Sequence, residues 1–329
     1  RVKTAETLYM ARKKCPYLNV YPPNHKLYRS MSKELFKLLS KYTSDIEIVS
    51  IDECFLDYTP IKKIHGDELS FAKKIKDEIY KSLGFTVNIG IANNKLCAKM
   101  ASDFSKPNKI HTLYKDEIKE KMWPLDIGDL YGIGKSSTAK LKNLNINTIG
   151  DLANSKRELL YPYFKNQTNH IIEIANGIDD SIVISEDVDR QSISSMNTLI
   201  YDYDDILEIN KELKEISNRL SKELKEKNKY CYTIGIIIKD MYFKRCTHQT
   251  KLKNCINDEK TIYETSTKLF KEYWDNTPIR LIGIRLDSLT DSNDYQISLF
   301  EKIEDKIDDN NLNKTIDSLK KKYGENIIK

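Results

Sequence analysis

The sequence predicts a multidomain α+β protein. Three observations lead there. Residues up to about 115 alternate helical and extended patterns, residues from about 117 to 185 carry only helical patterns and turns, and residues from about 189 to 288 alternate again. A length of 329 residues accommodates about two or three domains. Hydrophobic residues make up 40% of the chain and charged residues 31%, which is enough apolar material for real cores and excludes wholesale disorder. The net charge of +5 is modest, so its distribution matters more than its size.

The elements follow in order. TAETLYMARKK, residues 4–14, predicts a short helix capped by Thr4. CPYLNVYPP is extended because of its prolines. Residues 25–42 place Leu27, Met31, Leu35, Leu38 and Tyr42 at helical spacing, which predicts one buried face. DIEIVSI and CFLDYT read as strands separated only by Asp52 and Glu53. ELSFAKKIKDEIYKSLG is an amphipathic helix ended by Gly84. FTVNIGIAN is a strand, NKLCAKMASDFSK a helix stopping before Pro107, and KIHTLY a strand, so a single sheet with helices on one face is expected. After the helical middle come SISSMNTLI, a long helix over DILEINKELKEISNRLSKELKEK, the strands YCYTIGIIIKD and MYFKRCTHQTKL, a helix over TIYETSTKLFKEYW, and the strand IRLIGIRLDSL. The polar, acidic stretch around 288–311 reads as a linker before a last short helix.

Several function classes drop out. No apolar run approaches the roughly 18–20 residues of a membrane span, so no membrane partner is expected. The six cysteines form no C-x-x-C pair and no zinc-type cluster, and no secretory segment is visible. Reduced thiols and a cytoplasmic location are expected. No nucleophile triad is readable around the histidines.

Four features carry chemistry. Neighbouring side chains on a flat strand diverge, but a turn between the two strands lets Asp52 and Glu53 converge. Converging carboxylates suit a hard cation such as Mg²⁺, although the pair alone fits a solvated acidic turn as well. Gly132-Ile133-Gly134 followed by Lys135 matches a helix-hairpin-helix, whose backbone N–H groups can face a phosphate. An ordinary helical turn is the alternative. Lys239, Lys244, Arg245, Lys251 and Lys253, interleaved with Tyr242, Phe243 and His248, form a basic strand pair. It reads either as a track for a nucleic-acid backbone or as a solvated, lysine-blunted edge. QISLF, Gln296 to Phe300, places an apolar pair in a polar linker and could anchor in a partner's pocket, or pack on its own domain.

Taken in order, SIDECFLD, TVNIGIANNKLCAKMASDFSKPNKI, LYGIGKSSTAKLKNLNINTIGDL and QISLF resemble the Y-family translesion DNA polymerases of DinB/UmuC type. The resemblance implies a right-hand polymerase: partial fingers over 1–24, palm over 25–115, a helix-hairpin-helix thumb over 116–186 and an α+β little finger over 187–288. A linker, a clamp-binding peptide and a short helix would occupy 289–329. It implies that Asp52 and Glu53 are catalytic carboxylates clamping two Mg²⁺ ions, and that Lys106 contacts the nucleotide triphosphate. Gly132, Gly134 and Lys135 would hold a DNA phosphate. Lys239, Lys244, Arg245 and Lys251 would bind DNA, and Gln296, Leu299 and Phe300 would dock a sliding clamp. Primer-template DNA and deoxynucleoside triphosphates are the other implied partners, with the protein a monomer. The family's first motif, which holds another metal-binding aspartate, the steric-gate aromatic and a core palm strand, is not found in this chain. The expectation is therefore a fragment that does not polymerise DNA alone. The rival expectation is a non-catalytic, clamp-tethered DNA-binding protein. The residues do not separate the polymerase IV branch from the polymerase V branch.

Overall fold

The computed structural model describes residues 2–186 and 189–292. Two units are distinguished, Arg1–Asp187 and Val188–Lys329. The first begins with α1 (Leu8–Lys14), capped by Thr7 rather than Thr4: the Thr7 hydroxyl accepts from the Met10 N–H. Thr4 lies in a turn before the helix, and Ala5 behind it has φ 59°. α2 (His25–Leu39) starts at Asn24, whose side chain accepts from the Leu27 N–H. Only the C-terminal half of its apolar face is covered: Leu35, Leu38 and Leu39 are buried, whereas Leu27 stands 50% exposed.

A hairpin follows. β1 (Ile46–Ile48) and β2 (Cys54–Leu56) pair antiparallel, with Glu47 opposite Phe55 and Ile48 opposite Cys54. α3 (Lys62–His65) is a single turn leading to α4 (Glu68–Leu83), which Asp67 caps and Gly84 ends in the left-handed region at φ 77°. α4 buries Phe71, Ala72, Ile75 and Ile79, a spacing of three and four, against α2.

β3 (Ile89–Ala92) pairs parallel with β4 (Ile110–Leu113), and α5 (Lys95–Asp103) is the crossover between them. The strands therefore form two separate two-stranded ladders, not the single sheet that the apolar runs predict. The residues of β3 are only half-buried, and Ile48, Val49 and Ile51 are exposed. Apolar runs read as strands whether or not a neighbouring strand covers them, so the sequence pattern could not show this.

The helical segment holds α6 (Lys135–Asn143), α7 (Ile149–Ala153), α8 (Arg157–Phe164) and α9 (Thr168–Ala175). Leu130, Leu141, Ile146, Ile149 and Leu152 are buried as their spacing predicts, while Ala139 is exposed. α5 belongs to the same core: Leu96, Cys97, Met100 and Ala101 pack with Met122, Leu130 and Ile174.

The second unit is one antiparallel sheet of order β5-β8-β6-β7 backed by two helices. Its strands are β5 (Ser192–Tyr203), β6 (Tyr230–Asp240), β7 (Arg245–Ile256) and β8 (Ile279–Thr290). Its helices are α10 (Ile206–Glu226) and α11 (Glu259–Tyr273). α10 buries Ile209, Leu213, Ile216, Leu220 and Leu224 against Ile234, Ile236, Ile282 and Ile284 of the sheet. Each such side chain contributes about 1.5–3 kcal/mol by leaving water.

β3 and α5 approach closely at Gly90. A Cβ there would lie 1.9 Å from the Ala98 carbonyl oxygen and 2.6 Å from the Ser102 nitrogen. Both are helix backbone and cannot yield as a flexible side chain would. Gly90→Ala is therefore expected to cost at least about 1–3 kcal/mol, the range for overpacking. Urea unfolding monitored by circular dichroism measures it, and an unchanged midpoint would contradict the close packing.

Candidate active site and nucleic-acid interface

The connection Val49–Glu53 turns the chain between β1 and β2. The N–H groups of Val49 and Ser50 both donate to the Glu53 carbonyl, at 3.0 and 3.1 Å. Strict strand alternation lapses here, and Asp52 and Glu53 both stand exposed on the turn. The Ser50 hydroxyl donates to Asp52 Oδ1 at 2.7 Å. Ser50 thus orders the turn and orients one of the carboxylates.

α5 holds the hairpin from the side. Lys95 Nζ donates to both oxygens of Glu47 at 2.8 and 2.6 Å, and lies 5.3 Å from the centre of the Phe55 ring. One helical turn later, Lys99 Nζ lies 2.7 Å from Glu53 Oε1 and 3.3 Å from Asp103 Oδ2. Lys106 Nζ lies 2.6 Å from Asp103 Oδ1. The structure thus links Glu53 to Lys106 through Lys99 and Asp103. Reading the sequence found the two ends and missed Lys95, Lys99 and Asp103. The spacing of Lys99 and Asp103 was a visible signal; their tie to Glu53, 46 residues away from Lys99, was not.

Electrostatics follow the contacts. Burial pushes Lys99 down, but its hydrogen bond to Glu53 and the charge of Asp103 outweigh that and hold it above the ordinary lysine range. Burial pushes Asp103 up, yet Lys106 and Lys99 together hold it below the ordinary carboxylate range. Glu47 is likewise held low: burial is outweighed by the hydrogen bonds from Lys95 and from the Ile184 N–H. That N–H belongs to a strap over 177–184. Asn94 Nδ2 donates to the Gly177 carbonyl, the Leu96 N–H donates to Asp179, and Lys95 reaches the Ile182 carbonyl.

The donor chemistry at the turn fits a hard divalent cation. Two exposed carboxylates supply oxygens, and such a cation also takes water and phosphate oxygens. Among the described residues no group of three His, Cys, Asp or Glu side chains converges.

Gly132, at φ 93°, lets the chain turn sharply, and Ile133 anchors that turn in the core. Gly134 is the N-cap of α6 and offers no side-chain cap, and a Cβ at Gly134 would meet nothing within 4 Å. The first N–H groups of α6 are thus approachable from outside, beside the exposed Lys135. The element before the glycines is a single 3-10 turn, Ile127–Asp129, shorter than the helix that the sequence pattern predicts.

In the second unit, Arg245, Lys251 and Lys253 alternate with half-buried residues along β7, so they share one face with Thr247 and Gln249. Lys239 pairs with Arg245 across the ladder, and Lys244 sits in the turn. His248 does not join this face: its ring stacks on Tyr273 of α11, with centroids 3.5 Å apart. Phe243 serves partly as packing, with the Arg280 guanidinium 4.5 Å from its ring centre. Arg285 was missed from sequence. It pairs across the sheet with Gly235, which in turn pairs with Gln249, so it stands inward of the edge on the same face, with its guanidinium 2.8 Å from Asp287 Oδ1. Gln296, Leu299 and Phe300 lie outside the described residues.

Residues 1–103 match the impB/mucB/samB family, 115–146 match the IMS family HHH motif, and 190–299 match the impB/mucB/samB family C-terminal domain. The chain is 44% identical to DNA polymerase IV of Clostridium acetobutylicum over 99% of its own length and 82% of that protein's. The chain belongs to the Y-family DNA polymerases. It is a homologue of the DNA polymerase IV (DinB) type, which supplies the branch left open by the motifs alone. DNA polymerase IV of Clostridium kluyveri is 37% identical over the whole chain and 84% of its own length. A Y-family DNA polymerase chimera shares the fold at a TM-score of 0.75 and 27% identity, covering 88% of this chain and 84% of that one. An insertion ternary complex of Dbh DNA polymerase matches at a TM-score of 0.58 and 25% identity, with the same coverage. In Y-family terms the helical segment is the helix-hairpin-helix thumb, and the second unit is the little finger.

The Glu47 brace gives this region a pH dependence. A carboxyl held low in the fold contributes stability above its unfolded pKa of about 4.3, and loses it as pH falls through the folded value. Lys95→Met is expected to raise the Glu47 titration toward the ordinary value. It should also flatten the loss of stability between neutral pH and the acid side of that range. Carboxyl NMR titration with urea midpoints at several pH values tests both.

Proposed function

We propose that this chain supplies the carboxylate turn, the triphosphate lysine and the DNA-binding surfaces for template-directed DNA synthesis past damaged bases, with nucleotidyl transfer taking place at the β1–β2 turn once the site is completed. The observation that carries the reading is the row Glu53–Lys99–Asp103–Lys106, which joins the carboxylate turn to the lysine of the S-K-P-N segment. Asp52 and Glu53 would hold Mg²⁺. Two bound Mg²⁺ ions would supply activation of a primer 3′-hydroxyl and neutralisation of a triphosphate. The chain's own residues do the positioning. Ser50 orients Asp52, Lys99 sets Glu53, and Lys106 meets the triphosphate as a flexible point charge. The N–H groups after Gly134, with Lys135, donate to a phosphate of the duplex. Lys239, Lys244, Arg245, Lys251 and Arg285 track the backbone along the little finger without reading its sequence. The protein works in the cytoplasm as a monomer. The peptide with Gln296, Leu299 and Phe300 tethers it to a sliding clamp.

Two carboxylates at the turn, with no third ligand joining them among the described residues, support a further point. We infer that these 329 residues bind DNA but do not polymerise it alone. A primer-extension assay is expected to show no Mg²⁺-dependent synthesis by this chain, and clear synthesis would overturn the inference. The non-catalytic reading differs at one point. When the site is completed by a third carboxylate supplied on another chain or a longer one, the polymerase reading expects synthesis that Asp52→Ala lowers on the order of 1,000-fold.

The two binding surfaces should separate by mutation. Lys251→Ala with Arg285→Ala is expected to weaken duplex binding across all sequences and to reduce the salt slope by about 1–2. Gln296→Ala with Phe300→Ala should leave duplex affinity unchanged and abolish capture by clamp. Fluorescence anisotropy at several salt concentrations and a clamp pull-down measure these. A salt slope that the first pair leaves unaltered, or clamp capture that survives the second, would contradict the assignments.

A further inference from the structure

Glu53, Lys99, Asp103 and Lys106 form a row of alternating charge in which the two inner members are shared. The Lys99 ammonium lies 2.7 Å from Glu53 and 3.3 Å from Asp103. Its side chain is only 18% exposed, so these carboxylates, more than water, supply its partners. Asp103 offers Oδ2 to Lys99 and Oδ1 to Lys106 at 2.6 Å. Lys106, by contrast, is 57% exposed and can leave at little cost in packing.

Such a row has two pairings. In the one observed, Lys106 neutralises Asp103, and Lys99 is drawn closer to Glu53. In the other, Lys106 is gone, Asp103 lacks its nearer cation, and Lys99 moves fully onto Asp103. That shift stays on one helix face, because residues 99 and 103 are one turn apart.

We propose that Lys99 is a positioning residue that couples the two ends of the row, occupying Glu53 while Lys106 holds Asp103 and releasing Glu53 when Lys106 leaves for an anionic ligand. The proposal rests on the reading of Glu53 as a cation ligand and Lys106 as a triphosphate contact. An ammonium 2.7 Å from Glu53 competes with any divalent cation for the same oxygens. A polyphosphate that draws Lys106 away turns Lys99 toward Asp103 and lifts that competition. Binding coupling is reciprocal, so a cation at Glu53 drives Lys99 onto Asp103 and frees Lys106 for phosphate. Each ligand thereby favours the other through one side chain. Before either arrives, the carboxylate is held neutralised and in place.

The test is a Mn²⁺ titration of the 329-residue chain, with free Mn²⁺ followed by electron paramagnetic resonance. Lys99→Met is expected to raise Mn²⁺ affinity about five-fold or more. Lys106→Met, which mimics departure of Lys106, should raise affinity in the wild-type background and change nothing in Lys99→Met. Asp103→Asn should lower affinity in the wild type and again change nothing in Lys99→Met. Charge acting only through space would give the same fold-changes in both backgrounds, and that additivity would overturn the proposal. Lys99→Gln repeats the cycle if Lys99→Met does not fold. Mn²⁺ binding that is absent, or indifferent to Glu53→Gln, would instead overturn the reading of Glu53 as a ligand, and the coupling with it.

Discussion

The site depends on two ion pairs made by one helix. Lys95 and Lys99 project one turn apart from α5 and grip the β1–β2 hairpin at Glu47 and Glu53. A three-residue strand pair in which no apolar side chain is fully buried has little hold of its own. The helix that grips it is fixed on every side. Asn94 caps it, Asp179 accepts from its second N–H, Gly90 lets β3 press against its backbone, and its inner face joins the thumb core. The position of two surface carboxylates is therefore set by a core assembled elsewhere in the unit.

The same logic explains why α5 belongs with the thumb as much as with the palm. Met100 and Ala101 pack beside Leu130 and Ile174, while the strap over 177–184 returns to the helix N-terminus and to Glu47. The helix that grips the nucleotide-binding turn and the segment that would bind the duplex thus share a core, while the hairpin itself packs on the α2/α4 cluster. The little finger solves a different problem. Its helices cover most of the strongly apolar sheet residues, and along β7 the opposite face carries Arg245, Thr247, Gln249, Lys251 and Lys253, which suits a hydrated backbone.

What was legible in the sequence follows from range. Asp52 and Glu53 were found because an alternating pattern breaks at them, and Gly132 and Gly134 because glycines mark the turn. The segment DILEINKELKEISNRLSKELKEK was legible as the long helix α10. These are local signals. The grip of Lys99 on Glu53 joins residues 46 apart, and nothing in a single sequence pairs one lysine with one glutamate among so many. The stack of His248 on Tyr273, which removes the imidazole from the basic face, was hidden for the same reason, as was Arg285 opposite Gly235. The separation of the apolar strands into two ladders was hidden because periodicity describes a strand and not its neighbours.

The most direct measurement of this account is a crystal structure of the chain with primer-template DNA, Mn²⁺ and a non-hydrolysable nucleoside triphosphate, read from the anomalous signal of the metal. The account predicts a Mn²⁺ peak bonded to Asp52 and Glu53, the Lys106 ammonium on the triphosphate, and Lys99 moved from Glu53 onto Asp103. A triphosphate bound away from Lys106, or a metal peak elsewhere with Lys99 still on Glu53, would contradict it.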